Sequence, residues 1–316
     1  MEKLRVIVVG CTPLARNVIE LCHAMVNVVG IINLDPELAI HKSNYDPLSD
    51  FRERDPHNFR MTKDINRDEL WIAQRQPDII IQCGWSQIFS KKILSLPKLF
   101  CVGFHPSPLP VGRGAAVLNW VMIESKQNKN IVWGNSMFVM EEKTDTGDVL
   151  DFMPFIIEER DDINTCYNKV YNSSLKMLKR TLPLIESGNY IRREQDNSKA
   201  TRFYKRTPSD GLIKFDWEDY EILNYVRALT HPYPGAFFSY KGSQIIIWEA
   251  SKAFSEGDLF ANECGQILAI ESGRGINVQV KNGTIWIERI SDMEGLEKWA
   301  DEWAIENKIQ IRHILT

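Results

Sequence analysis

The chain opens with a short apolar run rich in β-branched residues, Leu4 to Val9, broken by Gly10-Cys11-Thr12-Pro13. A segment of helical periodicity follows, with Leu14, Val18, Leu21, Cys22 and Met25 on one face, Thr12 as N-cap and Pro13 at the first helical position. Val28 to Asn33 reads as a second strand, so the opening is a β-turn-α-β unit of the kind that builds a parallel, doubly wound sheet. Residues 36 to 67 are polar and interrupted by prolines, which predicts loop with little regular structure. Asp68 to Gln76 reads as a short helix stopped by Pro77, and Asp78 to Cys83 as a buried strand. Gly84-Trp85-Ser86-Gln87 is the loop at that strand's carboxyl end. Ser90 caps another short helix through Leu96, and Phe100 to His105 is the next strand.

Further along, Ala115 to Ser125 is helical, while Ile131 to Met140 and Val149 to Phe155 are strands flanking the turn region Glu141 to Asp148. Thr165 to Ser187 is one long amphipathic helix with Val170, Leu178, Leu182 and Ile185 on its apolar stripe and Gly188 as its stop. Gly188 to Lys205, rich in Arg, Asn, Ser and Asp, reads as the interdomain stretch. Beyond it come a helix from Trp217 to Leu229 and short strands over Ser239 to Ala250, Gly265 to Ile270, Ile276 to Val280 and Thr284 to Ile287. Asn282-Gly283 is a hairpin signal between the last two. The expected architecture is an α/β domain over 1–205, with a doubly wound, mostly parallel sheet, and a small β-barrel over 206–316.

Composition narrows the class. With 44% hydrophobic and 25% charged residues the chain has globular make-up, and no apolar run approaches the ~20 residues needed to cross a bilayer. The apolar run Val6 to Val9 is too short for a secretory signal, so the chain is expected to stay in the cytoplasm, away from membranes. Six cysteines, Cys11, Cys22, Cys83, Cys101, Cys166 and Cys264, lie without metal-ligand spacing and read as reduced, buried thiols. A net charge of -4 offers no general attraction for a polyanion, and nucleic acid is not an expected partner. The dinucleotide fingerprint is also missing, because Gly10 is followed by Cys11, Thr12, Pro13 and Leu14 with no second or third glycine.

Two segments carry candidate chemistry. His105-Pro106-Ser107-Pro108-Leu109-Pro110 ends an apolar strand in a histidine and stiffens the chain after it with three prolines. Val111-Gly112-Arg113-Gly114 then forms a flexible, cationic turn before a helix, which suits an anion or a polar ligand. The second segment, Thr144-Asp145-Thr146-Gly147-Asp148, is an acidic turn between two apolar strands. Together they supply an imidazole and a carboxylate. Moving an acyl group to an amine requires proton removal from the attacking nitrogen, stabilisation of the oxyanion and protonation of the leaving nitrogen, and such a couple divides these tasks.

The arrangement HPSPLPxGRG, followed about forty residues later by TDTGDV, resembles the folate-dependent formyltransferase family, and the likeness extends along almost the whole chain. Arg206-Thr207-Pro208-Ser209-Asp210-Gly211-Leu212-Ile213 and Pro232-Tyr233-Pro234-Gly235-Ala236-Phe237 are similar to segments of its sugar-nucleotide branch. The resemblance implies an OB-like second domain, catalytic roles for His105 and Asp145, and 10-formyl-tetrahydrofolate as cosubstrate. It implies folate binding by Trp85, Ser86, Gln87, Ile88 and Phe89, with Met140, Glu141, Glu142, Lys143 and Thr144, largely through backbone groups. Ser107, Pro108, Leu109, Gly112, Arg113 and Gly114 would line the cleft where cofactor and acceptor meet. Members usually carry an asparagine two residues before the histidine, where this chain has Gly103. In its place, a protonated His105 is expected to carry the oxyanion, with Asn119 or Asn135 as substitute donors. The glycine also leaves open an inactive or altered member.

For the acceptor the resemblance implies a nucleotide-linked amino sugar, dTDP- or UDP-linked. Tyr204, Tyr233 and Phe237 would stack on its base, and Arg202, Lys205 and Arg206 would meet its diphosphate. Methionyl-tRNA is the rival acceptor. Against it stand the acids of residues 254 to 306, among them Glu256, Asp258, Asp292, Glu294, Glu297, Asp301 and Glu302, which would repel a phosphate backbone. A catalytically silent folate-binding homologue and hydrolysis of formyl-folate are the remaining readings. The chemistry calls for no metal, and a homodimer is left open.

Overall fold

A computed structural model describes residues 3–40, 44–126, 130–253, 263–292 and 295–315. The chain divides into two compact units, the first of Met1–Val117, Val132–Ile156 and Tyr167–Tyr204, the second of Leu118–Ile131, Ile157–Cys166 and Lys205–Thr316.

The first unit is built on a seven-stranded sheet. Its elements in chain order are β1 (Arg5–Gly10), α1 (Pro13–Met25), β2 (Asn27–Leu34), α2 (Ser49–Arg54), β3 (Phe59–Thr62), α3 (Glu69–Gln74), β4 (Ile79–Cys83), α4 (Lys91–Leu94) and β5 (Phe100–His105). Then follow β6 (Arg113–Gly114), β7 (Ile131–Val139), β8 (Val149–Ile157), α6 (Ile163–Glu186) and β9 (Arg202–Phe203), while α5 (Val117–Ile123), between β6 and β7, falls almost wholly in the second unit. The sheet order is β3-β2-β1-β4-β5-β7-β8. Neighbours from β3 to β5 run parallel, and β7 runs antiparallel to β5.

Both faces of this sheet are covered, which is why its strands read as unbroken apolar runs. Val6, Val8, Ile79, Ile81 and Val102 pack on one face against Leu14, Val18 and Ile19 of α1 and Met177, Leu178 and Leu182 of α6. Ile7, Val9, Ile32, Ile80 and Cys101 pack on the other, with Ile72 of α3, Ile93 of α4, Trp85 and Phe89. Between β1 and β4, where strand order reverses, two glycines are packed too closely to carry a side chain. A Cβ on Gly10 would sit 2.2 Å from the Cys83 carbonyl oxygen, and one on Gly84 would sit 2.1 Å from Thr12 Oγ1.

The second unit contains α7 (Asp219–Leu229), β10 (Ala236–Tyr240), β11 (Ser243–Lys252), β12 (Ile267–Glu271), β13 (Gly275–Val280), β14 (Gly283–Asp292), β15 (Lys298–Trp299) and α8 (Ala300–Glu306). Its strands form one antiparallel sheet in the order β10-β11-β14-β13-β12, with β15 on β14. Ile245, Ile247, Ile276, Val278, Ile285, Ile287 and Ile290 are buried in it.

Several elements depart from the sequence reading. The proline-interrupted stretch 36–67 contains α2 and β3, and β3 extends the parallel sheet by pairing with β2. The expected single strand over Ser239 to Ala250 is a hairpin, turned at Lys241 and Gly242 with φ of 50° and 83°. Two positive-φ residues in succession are the signature of a type I′ turn, which matches the twist of the strands. The other hairpin is displaced by one residue, since Val280 pairs with Gly283 and leaves Lys281 and Asn282 as its loop. Asn282 Oδ1 instead accepts the Asp219 N–H at the start of α7. Thr12 occupies the N-cap of α1, but its hydroxyl makes no capping bond. Gly188 to Lys205 is not a free tether, because β9 pairs with β6 and Arg193 bridges Val149. Five of the six cysteines are buried and Cys264 is half-buried; all are free thiols. Among the described residues no helix is long and apolar enough to cross a membrane.

The loop over the carboxyl ends of β1 and β2 is held by one ionic knot. Arg16 of α1 donates to both Asp46 carboxylate oxygens, at 2.7 and 2.8 Å, and to Asp50 at 2.8 Å. The Asp46 N–H reaches Cys11 O and its carbonyl accepts from Asn33. The Arg16 hydrogen bond holds the Asp46 carboxyl below its ordinary value. A depressed carboxyl stabilises the fold above its unfolded value of about 3.9, and that contribution disappears as pH falls through the lower, folded value. Asp46→Asn is therefore expected to melt a few degrees below the wild type at pH 7. The gap should shrink as pH falls below about 3.9 and through the lower folded value, and calorimetry across pH 2–7 checks it.

Candidate active site

β5 ends in His105, the last residue before the proline-stiffened turn. Its register against β7 pairs Gly103 with Phe138, Phe104 with Met137 and His105 with Ser136. Side chains alternate along a strand, so Gly103 and His105 share a face with Phe138 and Ser136, while Asn135 points through the other. The turn after His105 folds back over it. Ser136 Oγ donates to Ser107 O at 2.6 Å and accepts from the Leu109 N–H at 3.2 Å, and Trp133 Nε1 donates to Pro106 O at 2.7 Å.

That turn delivers Gly112, whose carbonyl oxygen lies 2.7 Å from His105 Nε2. A carbonyl only accepts, so Nε2 carries a proton and a neutral ring has its lone pair on Nδ1. Facing Nδ1 at 3.6 Å is Asp145 Oδ1, and both side chains are over nine-tenths buried. The second carboxylate oxygen accepts the Gly114 N–H at 2.8 Å. Two acceptors therefore meet unless a proton lies between them, and the Nδ1–Oδ1 edge is a place to receive one.

The acidic turn holds Asp145 in a left-handed conformation, φ 64°. Asp tolerates that region better than most residues. Gly147 is there because a Cβ would fall 1.9 Å from Val139 O at the end of β7. Gln195, which nothing in the sequence singled out, donates to Asp145 O at 3.0 Å and Gly147 O at 2.7 Å.

The two loops expected to hold folate lie side by side. Met140 packs against the cluster containing Trp85 and Phe89, and Lys91 pairs with Glu142 at 3.0 Å. The side chains of Trp85 and Phe89 are buried in that core, while Ser86, Ile88, Glu141, Glu142, Lys143 and Thr144 are exposed. Gln87 is engaged elsewhere, accepting from Ile65 N–H and donating to Lys63 O. Any ligand in this region meets backbone and exposed edges rather than those rings.

Other expected residues are placed differently. Asn119 and Asn135 are no substitute oxyanion donors. Asn119 Nδ2 donates to Ala228 O at 2.7 Å, buried against α7, and Asn135 Nδ2 donates to Val170 O, Ser173 Oγ and Ser174 Oγ of α6. The cationic turn does not present Arg113 to an anion either. Its guanidinium is buried, with Nε and Nη2 donating to Gln195 Oε1 and Nη2 also to Asn197 Oδ1. Arg206 likewise lies over the Trp120 ring at 4.6 Å and donates to Asp210 O, and burial lowers its pKa. Phe237 is buried in β10, whereas Tyr204 is exposed and Tyr233 half-buried. Ser107 Oγ is buried with no hydrogen-bond partner. Pro108 and Leu109 are half-buried beside it.

The glycine before the histidine has a local cause. A Cβ at Gly103 would lie 3.0 and 3.1 Å from the Phe138 ring and 3.2 Å from Met140 Cγ. Phe138 itself meets the His105 ring edge-on at 6.5 Å and 85°. The space beside the imidazole is thus taken by an aromatic ring from the neighbouring strand.

Residues 3–182 match the family described as "Formyl transferase", and residues 205–307 match "Formyl transferase, C-terminal domain". The chain belongs to the formyl transferase family. A bifunctional polymyxin resistance protein, ArnA, of Wigglesworthia glossinidia brevipalpis is 34% identical over 184 residues, 58% of this chain and 28% of its own length. A methionyl-tRNA formyltransferase of Clostridium tetani is 30% identical over 243 residues, 76% of this chain and 74% of its own. In structure, HypX from Aquifex aeolicus in complex with tetrahydrofolic acid aligns with a TM-score of 0.67 at 17% identity, over 96% of this chain and 47% of that one. WlaRD, a sugar 3N-formyl transferase solved with dTDP and 5-N-formyl-THF, aligns at 0.64 and 15% identity, over 94% of this chain and 100% of that one. The chain thus spans under a third of ArnA and about half of HypX.

If Phe138 fixes the glycine, Gly103→Asn should lower unfolding stability by about 1–3 kcal/mol through overpacking, and Phe138→Leu in the same chain should restore part of it. Denaturant titration measures both. A Gly103→Asn chain as stable as the wild type would show that the ring yields freely.

Proposed function

We infer that this protein transfers the formyl group of 10-formyl-tetrahydrofolate to the amino group of a nucleotide-linked amino sugar. The observation that carries the transfer is the buried His105–Asp145 pair, 3.6 Å apart, in a chain whose two parts both match the formyl transferase family. Folate as donor is supported by the HypX and WlaRD structures, which hold tetrahydrofolate and formyl-tetrahydrofolate. The exposed loops at 86–88 and 141–144, adjacent through the Lys91–Glu142 pair, are the proposed folate surface.

The amine attacks the formyl carbon, and its nitrogen must then lose a proton. Asp145 Oδ1 takes it, directly or through water, while Gly114 N–H holds Oδ2 in place. The carbon–nitrogen bond to folate breaks as its nitrogen gains a proton, which passes by way of His105. With Gly103 lacking a side chain, Asn119 and Asn135 turned elsewhere, and Nε2–H committed to Gly112, the oxyanion falls to the imidazole protonated at Nδ1.

The amino-sugar acceptor is supported by the near-complete alignment with WlaRD. Described acids of the second unit, such as Asp292, Glu297 and Glu302, would repel a polyphosphate chain; Glu256, Asp258 and Glu294 lie outside the described residues. Methionyl-tRNA is the second reading, favoured by the 30% identity to the Clostridium tetani enzyme. A screen of dTDP- and UDP-amino sugars and charged tRNA, with mass spectrometry for one added formyl group, decides between them. His105→Ala and Asp145→Asn are each expected to slow transfer by about 10²–10⁴-fold. Formylation of tRNA alone would overturn the acceptor, and full activity in the double variant would overturn the site.

A further inference from the structure

The segment 195–203, which precedes the second unit's long stretch, meets both reacting side chains through intermediaries. Gln195 is buried, 5% exposed, although its neighbours on both sides are exposed. Its amide is used completely. Oε1 receives two hydrogen bonds from the Arg113 guanidinium, at 3.1 and 2.7 Å, and Nε2 donates to the carbonyls of Asp145 and Gly147. Arg113 in turn leads directly into Gly114, the residue whose N–H holds the Asp145 carboxylate.

Around the histidine the same segment repeats the device. Thr201 Oγ1 accepts the Gly112 N–H at 2.8 Å, and Thr201 O accepts the Arg113 N–H at 2.9 Å. Gly112 is the residue whose carbonyl accepts the hydrogen bond from His105 Nε2–H. β6 pairs with β9 through Arg113 with Arg202 and Gly114 with Phe203, so the short ladder is the frame on which these contacts hang.

We propose that Arg113 and Gln195 are positioning residues, a buried strut that sets the Asp145 carboxylate against His105, with Thr201 setting the histidine tautomer through Gly112. The proposal rests on the formyl-transfer reading of the His105–Asp145 pair. It also reassigns Arg113, whose charge faces neutral amide oxygens and not a ligand. A guanidinium is suited to this task because its planar fork can grip one amide oxygen with two donors. A free Asp145 turn, held in a left-handed conformation without Gln195, would sample other geometries, and displacement by about 1 Å is enough to cost ~10²-fold in rate.

The test compares Gln195→Leu, Arg113→Met, their combination, Thr201→Val and Thr201→Ser in the full chain. Gln195→Leu and Arg113→Met are each expected to lower kcat about 10- to 100-fold with KM for folate and acceptor within about twofold. The double variant should lose little more than either single one, because the two side chains act as one strut. Thr201→Val should lower kcat, and Thr201→Ser, which keeps the hydroxyl, should recover most of it. A merely structural role predicts no such split between kcat and KM. If Arg113 instead contacts a ligand, Arg113→Met raises KM while Gln195→Leu leaves kcat intact, and the strut is wrong.

A second readout needs no substrate. In protein labelled with nitrogen-15 histidine, the His105 ring signals, assigned by their loss in His105→Ala, should report an Nε2–H tautomer that Thr201→Val disturbs and Thr201→Ser does not. Unchanged ring signals in both Thr201→Val and Gln195→Leu would overturn the proposal even if the variants are less active through loss of fold. Should the wild type move no formyl group to any acceptor, the functional reading fails, and the ring signals alone decide whether the strut exists.

Discussion

The site depends on two backbone groups that come two residues apart. The Gly112 carbonyl determines which imidazole nitrogen carries hydrogen, and the Gly114 N–H determines which carboxylate oxygen is committed. Each contact is ordinary in isolation. Together they leave one nitrogen of His105 and one oxygen of Asp145 opposite each other, both desolvated, in an environment where a proton between them matters far more than in water. Everything else in the first unit serves to bring that short turn to the end of β5 and keep it there.

The sheet supplies the rigid part of this arrangement. β1, β4 and β5 are parallel and buried on both faces, so the carboxyl end of β5 is as fixed as any point in the molecule. The antiparallel partner β7 then brings Phe138 and Ser136 to the same face as His105, one filling space and one pinning the turn. Where the strand order reverses, Gly10 packs against Cys83 and Gly84 against Thr12, with no room for a side chain at either glycine.

How much of this was legible along the chain depended on the length of the signal. β1 and β4 are runs of branched apolar residues and β5 is an apolar segment ending in a histidine, and their ends were read to within a residue. β3 escaped because it has four residues with only Phe59 and Thr62 buried, and nearby α2 buries Phe51 alone. The histidine and aspartate were visible because each lies in a compact motif. Asn135 was misplaced by parity. Ser136 pairs with His105, so its neighbour faces α6, and the register between two strands is not written in either one. Gln195 gave no signal at all, since its burial is created by a guanidinium 82 residues earlier.

The reach of that last contact bears on how such proteins are divided. The family's first domain, as sequence similarity draws it, ends at residue 182, which includes every strand of the seven-stranded sheet together with His105 and Asp145. It stops short of Gln195 and Thr201. An N-terminal half cut or grafted at that border would carry a complete-looking catalytic motif with its scaffolding left behind on the other piece. To keep Gln195 and Thr201 with the turns they bond, such a piece has to run about twenty residues past that border, through the β9 strand.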